Sequence, residues 1–205
     1  MPRGGYHAPM STAFPGIEDT QFPHQALLPT VIVLASGRGE RFRAAGGAEH
    51  KLQADLWGRT VLQRTLDAVQ ASGLPWYLED QGLPGMGDSI AAAVQATPGA
   101  QGWLILPADL PLVLPATLHF LASTQAQARV LVPTVHGQRG HPVRFARELG
   151  AALAACVGPQ GAVALTRGPE AVQVSVEDEG CILDIDTPTQ LEAARALWRQ
   201  RHRAP

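Results

Sequence analysis

The sequence predicts an α/β fold with a mostly parallel sheet and some antiparallel pairing in its second half. Short apolar runs rich in β-branched residues, such as residues 31–35, are typical of strands buried on both faces. Segments of helical period alternate with these strands through the first two-thirds of the chain, and the strands lie closer together afterwards. The chain also contains 21 glycines and 17 prolines, which suits many tight strand-to-helix turns.

The regular elements follow one another from residue 30 onward. The predicted strands are residues 31–35, 76–78, 103–106, 129–133, 141–145, 172–176 and 182–185. The predicted helices are residues 59–72, a helix opened by Gly87 or Asp88, and residues 115–125, 147–156 and 188–200. Thr187 and Pro188 are typical of a helix N-terminus, and Gly73 of a helix end. Residues 1–29 show no period, so we expect an irregular tail before a single domain at 30–205.

Composition excludes several classes of protein. Hydrophobic residues make up 45% and charged residues 17% of the chain, which is typical of a globular protein. The net charge of -2 shows no basic excess for nucleic acid, and no apolar run reaches the roughly 18 residues of a membrane span. Cys156 and Cys181 are far apart and form no CxxC motif. We therefore expect a cytoplasmic protein without nucleic-acid or membrane partners.

A glycine-rich loop follows the first predicted strand. Gly37 and Gly39 allow the backbone to approach a ligand, and free N–H groups there are able to bind phosphate. Arg38, Arg41 and Lys51 add positive charge, and Lys51 is the only lysine in a chain with 15 arginines. The loop therefore indicates a phosphate site, although a glycine turn with solvated arginines is the simpler alternative.

Two common phosphate-binding motifs do not match the residues of this loop. The dinucleotide fingerprint needs glycine where Phe42 stands and an acidic residue about 20 positions later, whereas the next strand ends at Glu79. The ATPase loop needs glycine directly before its lysine, where this chain has His50.

Asp109 follows the predicted strand 103–106. An acidic residue just past the carboxyl end of a buried parallel strand lies in the crevice where open α/β sheets bind ligands. Its carboxylate suits Mg²⁺, which usually takes one or two carboxylates plus substrate phosphates. Since Leu110 and Pro111 follow, a capping or turn role is the alternative.

Two later segments carry further polar groups. Gly85 and Gly87 precede a predicted helix, where free backbone N–H groups are able to bind a ligand, although an ordinary helix entry also explains them. Arg139 and His141 lie at a predicted turn into a strand, where His141 is either a ligand donor or a structural histidine beside a hairpin.

Asp184 and Asp186 lie near the C-terminal helix. Alternation along the predicted strand 182–185 places both carboxylates on the same side. One of them is able to supply a second carboxylate to a metal, and the other to cap the helix or orient a ligand. Asp186 is slightly favoured for the metal.

Taken in order, these segments resemble the molybdenum cofactor nucleotidyltransferases, and the molybdopterin cytidylyltransferase branch in particular. The chain resembles the family motifs L-A-A-G-x-x-x-R with a downstream lysine, G-M-G-x-S, A-D-M-P, R-G-x-P-V and D-I-D-T-P at residues 34–51, 85–89, 108–111, 139–143 and 184–188. It departs from the family at Arg43, usually glycine, and at residues 158–163, where an aspartate and an arginine of the family are missing. The resemblance covers residues 30–198 and implies a Rossmann-like three-layer α/β/α fold of the nucleotide-diphospho-sugar transferase type.

The resemblance also implies a reaction and roles for residues. It implies Mg²⁺-dependent transfer of CMP, or less readily GMP, from CTP or GTP to molybdopterin cofactor with release of pyrophosphate. The implied catalytic residues are Lys51, Arg41 and Asp109, and the implied metal ligands are Asp109 and Asp186. The implied nucleotide contacts are Leu34, Ala35, Gly37, Arg38, Gly87 and Ser89, and the implied second-substrate contacts are Arg139, His141 and Asp184. A molybdoenzyme or its maturation chaperone is the implied protein partner.

Two alternatives stay open at this point. A sugar-phosphate or other small-phosphate nucleotidyltransferase shares the loop, Lys51 and Asp109. A non-catalytic molybdenum-cofactor carrier or partner-binding protein fits the altered segment at residues 158–163.

Overall fold

A mixed eight-stranded sheet forms the centre of the computed structural model, which describes residues 6–7, 28–124 and 128–202. The strands are β1 (Tyr6–His7), β2 (Thr30–Leu34), β3 (Trp76–Glu79), β4 (Gly102–Pro107), β5 (Val130–Val135), β6 (Gln138–Arg139), β7 (Val143–Ala146) and β8 (Ala171–Ser175). The α-helices are α1 (Glu40–Ala44), α2 (Val61–Ala71), α3 (Met86–Ala96), α4 (Pro115–Ser123), α5 (Gly150–Ala154), α6 (Val163–Thr166) and α7 (Pro188–Arg201). Short 3₁₀ helices occupy Lys51–Gln53, Arg147–Leu149 and Glu179–Cys181.

The strand order is β1-β3-β2-β4-β7-β5-β6, with β8 beside β5. β2 pairs parallel with β3 and β4, and β8 pairs parallel with β5. β7 is antiparallel to both β4 and β5, so that β3, β2, β4, β5 and β8 run in one direction. This confirms the predicted sheet, mostly parallel with antiparallel pairing in its second half. Leu34 pairs with Glu79 and Pro107, so three strands end level and their following loops meet at one edge.

Helices cover both faces of the sheet and enclose two hydrophobic cores. Alternate residues of β2 point to opposite faces. Val31 and Val33 pack in the core that α2, α4 and α7 cover, and Ile32 packs in the core that α3 and α5 cover. All three β2 side chains are fully buried, which agrees with the apolar run in the sequence. The result is the predicted three-layer α/β/α arrangement.

The main prediction that the structure contradicts is the strand at residues 182–185. A 3₁₀ helix at Glu179–Cys181 leads instead into chain without regular structure. The buried Asp178 carboxylate accepts the Gly180 N–H and ion-pairs with Arg201, which fixes this turn. Ile185 is fully buried, so the apolar run reflects burial and not pairing. The alternation argument for Asp184 and Asp186 therefore does not apply.

Smaller differences concern helices. The predicted helix 147–156 divides into a 3₁₀ turn and α5, which ends at Ala154. Two short helices, α1 and α6, were not predicted, because four or five residues are too few to show a period. The N-cap at Thr187 and the proline at the first helical position of α7 are confirmed.

The N-terminal region is described only in part. Within the predicted tail, Tyr6–His7 pair antiparallel with β3 at the sheet edge. Most of that prediction, residues 1–5 and 8–27, lies outside the described residues, so the irregular tail stays a prediction. Across the described ranges, no helix combines the length and apolar character needed to cross a membrane.

Candidate active site

A cavity of about 470 Å³ opens where β2, β3 and β4 end. Its walls come from the three segments that follow these strands, together with Lys51, Leu52 and Asp186 from elsewhere in the chain. The predicted residues that line it are Leu34, Gly37, Arg38, Arg41, Lys51, Ser89, Asp109 and Asp186. Ala35, Gly87 and Asp184 are not among the lining residues. The position agrees with the general rule that open α/β sheets bind ligands at the carboxyl ends of their strands.

The glycine-rich loop is held by contacts that the sequence did not predict. The His50 Nδ1 accepts the Leu52 N–H at 3.3 Å, so its Nε2 carries the proton and donates to the Gly37 carbonyl at 2.8 Å. Gly39 adopts φ +63°, and a Cβ there would lie 3.2 Å from the His50 ring. His50 thus packs directly against the loop, and glycine at 39 permits both the backbone conformation and this close contact.

Glu79 is a second residue that sequence reasoning missed. It ends β3 and is fully buried. Its carboxylate accepts a hydrogen bond from the Ser36 hydroxyl and a 3.0 Å bond from the Gln81 N–H. The Ser36 oxygen also accepts the Gly82 N–H at 3.2 Å. Glu79 therefore ties the glycine-rich loop to the loop after β3. The signal in the sequence that could have identified it was an acidic residue at the end of the second predicted strand.

Lys51, Asp109, Asp186 and Arg41 form one charge cluster in the cavity. The Lys51 Nζ lies 2.6 Å from the Asp109 Oδ2 and 2.7 Å from the Asp186 Oδ1. The Arg41 guanidinium lies 2.6 Å from the other Asp186 oxygen. Burial lowers the pKa of Lys51, but the two carboxylates outweigh it and the net shift is upward. Lys51 is therefore an ammonium at neutral pH.

The backbone explains why two aspartates 77 positions apart come together. The Ile185 N–H donates to the Asp109 carbonyl at 3.0 Å, so Asp186 is the next residue along from this contact. The Thr65 hydroxyl holds the neighbouring Ala108 carbonyl at 2.8 Å. On the other side, the Asp186 N–H donates to the Gln190 side chain at the start of α7. Both carboxylates are thus placed by hydrogen bonds that hold the loop after β4 and the segment before α7 together.

The carboxylate pair fits a divalent cation that also binds substrate phosphates. The described residues contain no group of three or more His, Cys, Asp or Glu side chains that would form a complete protein site. Mg²⁺ commonly takes only one or two carboxylates and completes its shell with water and phosphate oxygens. The Asp109 Oδ1 is buried and has no hydrogen-bond partner among the described residues, so a ligand oxygen is available. Burial, with Asp109 and Asp186 nearby, raises the pKa of Asp184.

A second cavity of about 330 Å³ adjoins the first, and Met86 lines both. Its walls are mainly apolar and include Ile105, Val143 and Phe145. Arg139 and His141, the predicted second-substrate residues, line it together. The Arg139 guanidinium donates to the Thr166 carbonyl of α6.

His141 provides a buried polar atom in this apolar cavity. Burial lowers its pKa, and a hydrogen bond with the Ile105 backbone and the charge of Asp109 oppose that shift without reversing it. The imidazole is therefore neutral at pH 7. Its Nδ1 is buried without a partner among the described residues, as is the Ser89 hydroxyl in the first cavity. Buried polar groups normally find partners, so both atoms are candidates for ligand contacts.

Gly85, the N-cap of α3, and Gly87, in its first turn, pack closely against a neighbouring segment of the chain. A Cβ at Gly87 would lie 2.6 Å from the Val157 backbone, and one at Gly85 would lie 2.4 Å from Gly158. The Gly87 N–H donates to the Gly158 carbonyl at 2.8 Å, and the Gly158 N–H donates to Asp88 at 3.1 Å. The geometry accounts for Gly87 by this packing, and its contact with a nucleotide stays a prediction.

Comparison with known proteins identifies the family. Residues 67–174, just over half of the chain, match the model of the MobA-like NTP transferase domain. The chain belongs to this family. The match includes Asp109, Arg139 and His141, whereas the glycine-rich loop, Lys51 and Asp186 lie outside it. This MobA-like chain is a nucleotidyltransferase by family, as the motifs predicted.

Solved structures agree on the fold. Molybdopterin-guanine dinucleotide biosynthesis protein A from Archaeoglobus fulgidus is 18% identical with a TM-score of 0.63, covering 83% of this chain and 99% of that one. Rv0371c from Mycobacterium tuberculosis H37Rv, solved in complex with manganese, is 21% identical with a TM-score of 0.64, covering 82% and 97%. At these identities the likeness establishes the shared fold of the MobA-like chain.

A curated relative is similar over part of the chain. The bifunctional protein GlmU from Halorhodospira halophila (strain DSM 244 / SL1) is 29% identical over 134 residues, or 53% of this chain. The MobA-like chain spans 28% of the length of that relative.

Proposed function

We propose that this MobA-like protein transfers CMP from CTP to molybdopterin cofactor in a Mg²⁺-dependent reaction that releases pyrophosphate. GTP is the second candidate donor. The observation that carries the proposal is the cluster of Lys51, Asp109 and Asp186 beside the glycine-rich loop, directly next to an apolar cavity. We place the reaction in the cytoplasm and name a molybdoenzyme or its maturation chaperone as the protein that receives the product.

The first cavity is suited to the nucleoside triphosphate. The backbone of Leu34, Ala35 and Gly37 would meet the nucleoside, Arg38 and Arg41 would bind phosphate oxygens, and Ser89 would donate its free hydroxyl. Lys51 would offer a compact ammonium on a flexible stem, which follows moving phosphate charge better than a planar guanidinium does. Asp109 and Asp186 would hold Mg²⁺. The bound ion would neutralise phosphate charge and act as a Lewis acid.

The second cavity is suited to an acceptor with a flat, apolar body. Its apolar walls favour a fused heterocycle over a sugar, whose hydroxyl groups would lack partners there. His141 would receive a ring N–H at its Nδ1, and Arg139 would bind an anionic group. Asp184 would remain a more distant contact, because it lines neither cavity. Residues 159, 160, 162 and 163 form part of this wall, so the altered segment shapes the site.

The chemistry is a displacement at phosphorus. A phosphate oxygen of the acceptor forms a bond to the α-phosphorus of the nucleotide, and the bond from that phosphorus to the bridging oxygen of pyrophosphate breaks. Both reactants are anions, so charge neutralisation and positioning supply most of the rate. Lys51 and Arg41 would stabilise the charge that develops on the leaving oxygens. No protein nucleophile is required.

The test measures pyrophosphate release with CTP, GTP, ATP and UTP, each with molybdopterin cofactor and with a sugar phosphate. We expect release with molybdopterin cofactor, Mg²⁺ and CTP first. Release with a sugar phosphate alone would identify a small-phosphate nucleotidyltransferase. Binding of molybdopterin cofactor by calorimetry without any triphosphate binding would instead identify a carrier protein, and it would overturn the proposed reaction.

A further inference from the structure

The only lysine of the chain lies where a cation would bind. The Lys51 Nζ is within 2.7 Å of one oxygen from each carboxylate of the pair, Asp109 and Asp186. The second Asp186 oxygen is paired with Arg41. The free chain therefore satisfies three of the four carboxylate oxygens with its own cations and leaves only the Asp109 Oδ1 without a partner in the described residues. The two positive and two negative side chains balance.

An ammonium and a divalent cation cannot share this position. Both are attracted by the same carboxylate oxygens, and they repel each other strongly at a separation of a few ångströms in a partly buried site. The side chains of Lys51, Asp109 and Asp186 are 11%, 15% and 11% exposed, so solvent screens the repulsion weakly. A divalent cation therefore gains access to both carboxylates only after Lys51 has turned away.

A triphosphate provides a reason for Lys51 to turn. Lys51 lines the same cavity as Gly37, Arg38 and Gly39 of the glycine-rich loop. Phosphate oxygens bound at that loop would compete with the aspartates for the ammonium, whose four-carbon stem is flexible. Arg41 is still freer to change partner, since its side chain is 81% exposed.

We propose that Lys51 closes the divalent-cation site of the free chain and that a nucleoside triphosphate opens it by drawing the lysine away. This inference rests on the proposed function, because it assumes that the cavity binds triphosphate. If Lys51 acts in this way, the affinity of the site for a divalent cation depends on whether a nucleotide is bound. The free chain binds the ion weakly, and the nucleotide complex binds it well. The opposing possibility is a permanent structural ion pair, in which Lys51 stays on the aspartates throughout.

The wild-type chain allows a direct measurement, because it contains a single lysine. Labelling with lysine enriched in ¹³C at Cε gives one side-chain NMR signal, which reports the surroundings of Lys51. We expect the α,β-methylene analogue of CTP, added in the presence of EDTA, to shift this signal, and the same analogue of GTP serves if CTP does not bind. Mg²⁺ alone should leave it in place. A signal that does not move while the analogue binds would overturn the proposal.

A variant tests the closed state without any nucleotide. Lys51→Met keeps an unbranched side chain only one atom shorter and removes its charge, so Mn²⁺ affinity of the free chain should rise at least about tenfold. Arg38→Met is the matched control, because Arg38 lines the same cavity and contacts Glu40 instead of the aspartates. Calorimetry with Mn²⁺ and circular dichroism on both variants separate cation binding from misfolding.

The outcomes distinguish this inference from the proposed function. Equal Mn²⁺ affinity in a folded Lys51→Met variant and the wild type would overturn the closed site, even if pyrophosphate release proceeds. Failure of every triphosphate to bind would overturn both the proposed function and the opening step. In that case a rise in Mn²⁺ affinity for Lys51→Met would still confirm that the lysine occupies the cation position. If Lys51→Met does not fold, the wild-type NMR measurement decides.

Discussion

Replacing Gly87 with alanine tests the close packing of α3 against Val157, next to Met86, which lines both cavities. The added Cβ would lie 2.6 Å from the Val157 backbone, whereas ordinary contacts begin at 3.4 Å, so the segment must move by about 0.8 Å. Overpacking of this kind costs about 1–3 kcal/mol. Alanine also gains up to about 1 kcal/mol over glycine within a helix. We therefore expect a net loss of about 1–2 kcal/mol in the free energy of unfolding.

The assay is thermal unfolding with a matched glycine as control. A loss of this size corresponds to a fall in Tm of about 2–8 °C for a chain of about 200 residues. Gly99→Ala is the control, because a Cβ at Gly99 meets nothing within 4 Å. We expect it to change the stability by less than about 0.5 kcal/mol. Kinetics on the same variants should show a larger rise in KM for the acceptor than for the nucleotide, since Pro159 and Gln160, which directly follow the displaced segment, line the second cavity.

Equal stability of the two variants would refute the reasoning. It would mean that the segment at Val157 and Gly158 yields without cost, and that the hydrogen bond from the Gly87 N–H adds little. A Gly87→Ala variant with normal stability but much weaker nucleotide binding would instead return Gly87 to the nucleotide contacts that the motif implied.

Three further predictions concern the cavities. Asp109→Asn should lower the rate of pyrophosphate release at least about 100-fold, because the cation loses a negatively charged ligand. Circular dichroism should show that the fold is retained. A rate within threefold of wild type would contradict this role. Glu79→Gln should weaken CTP binding about tenfold in calorimetry, since a buried charged acceptor of the Ser36 hydroxyl and the Gln81 N–H becomes neutral; unchanged affinity would show that the loop does not depend on this clamp. The free energy of unfolding should fall as pH drops below 6.5, by at most about 1.4 kcal/mol per pH unit. The reason is that His141 takes up a proton in the unfolded state at a higher pH than it does when buried in the folded state. His141→Gln should remove that part of the slope in urea titrations at several pH values.

The sequence predicted best where the signal is local. The strand 31–35, the loop after it and Asp109 after its strand each depend on a few consecutive residues, and the structure places them at one edge. The strand at 182–185 failed because alternating apolar residues were read as pairing. Ile185 lies in an irregular segment, where its side chain is buried and its N–H donates to the Asp109 carbonyl. Burial of this kind produces the same apolar pattern as a strand does.

Contacts between distant residues were beyond the sequence. Lys51 and Asp186 are 135 positions apart and meet only because α7 begins beside the end of β4. Glu79 was noted only as an acidic residue in the wrong place for a dinucleotide site. Its pairing with Ser36 depends on the parallel register of β2 and β3, which no local pattern fixes.

The chemistry of Lys51 follows from its burial as much as from its charge. The residue is 9% exposed, and two of its three N–H groups donate to aspartates. A guanidinium is larger and planar, and its N–H donors form a rigid fork that matches two acceptor oxygens side by side, whereas the two aspartates present one oxygen each. All 15 arginines lie at other positions, and several of them ion-pair with single carboxylates at the surface. The one lysine is thus where a compact cation must fit between two carboxylates and still be able to leave them.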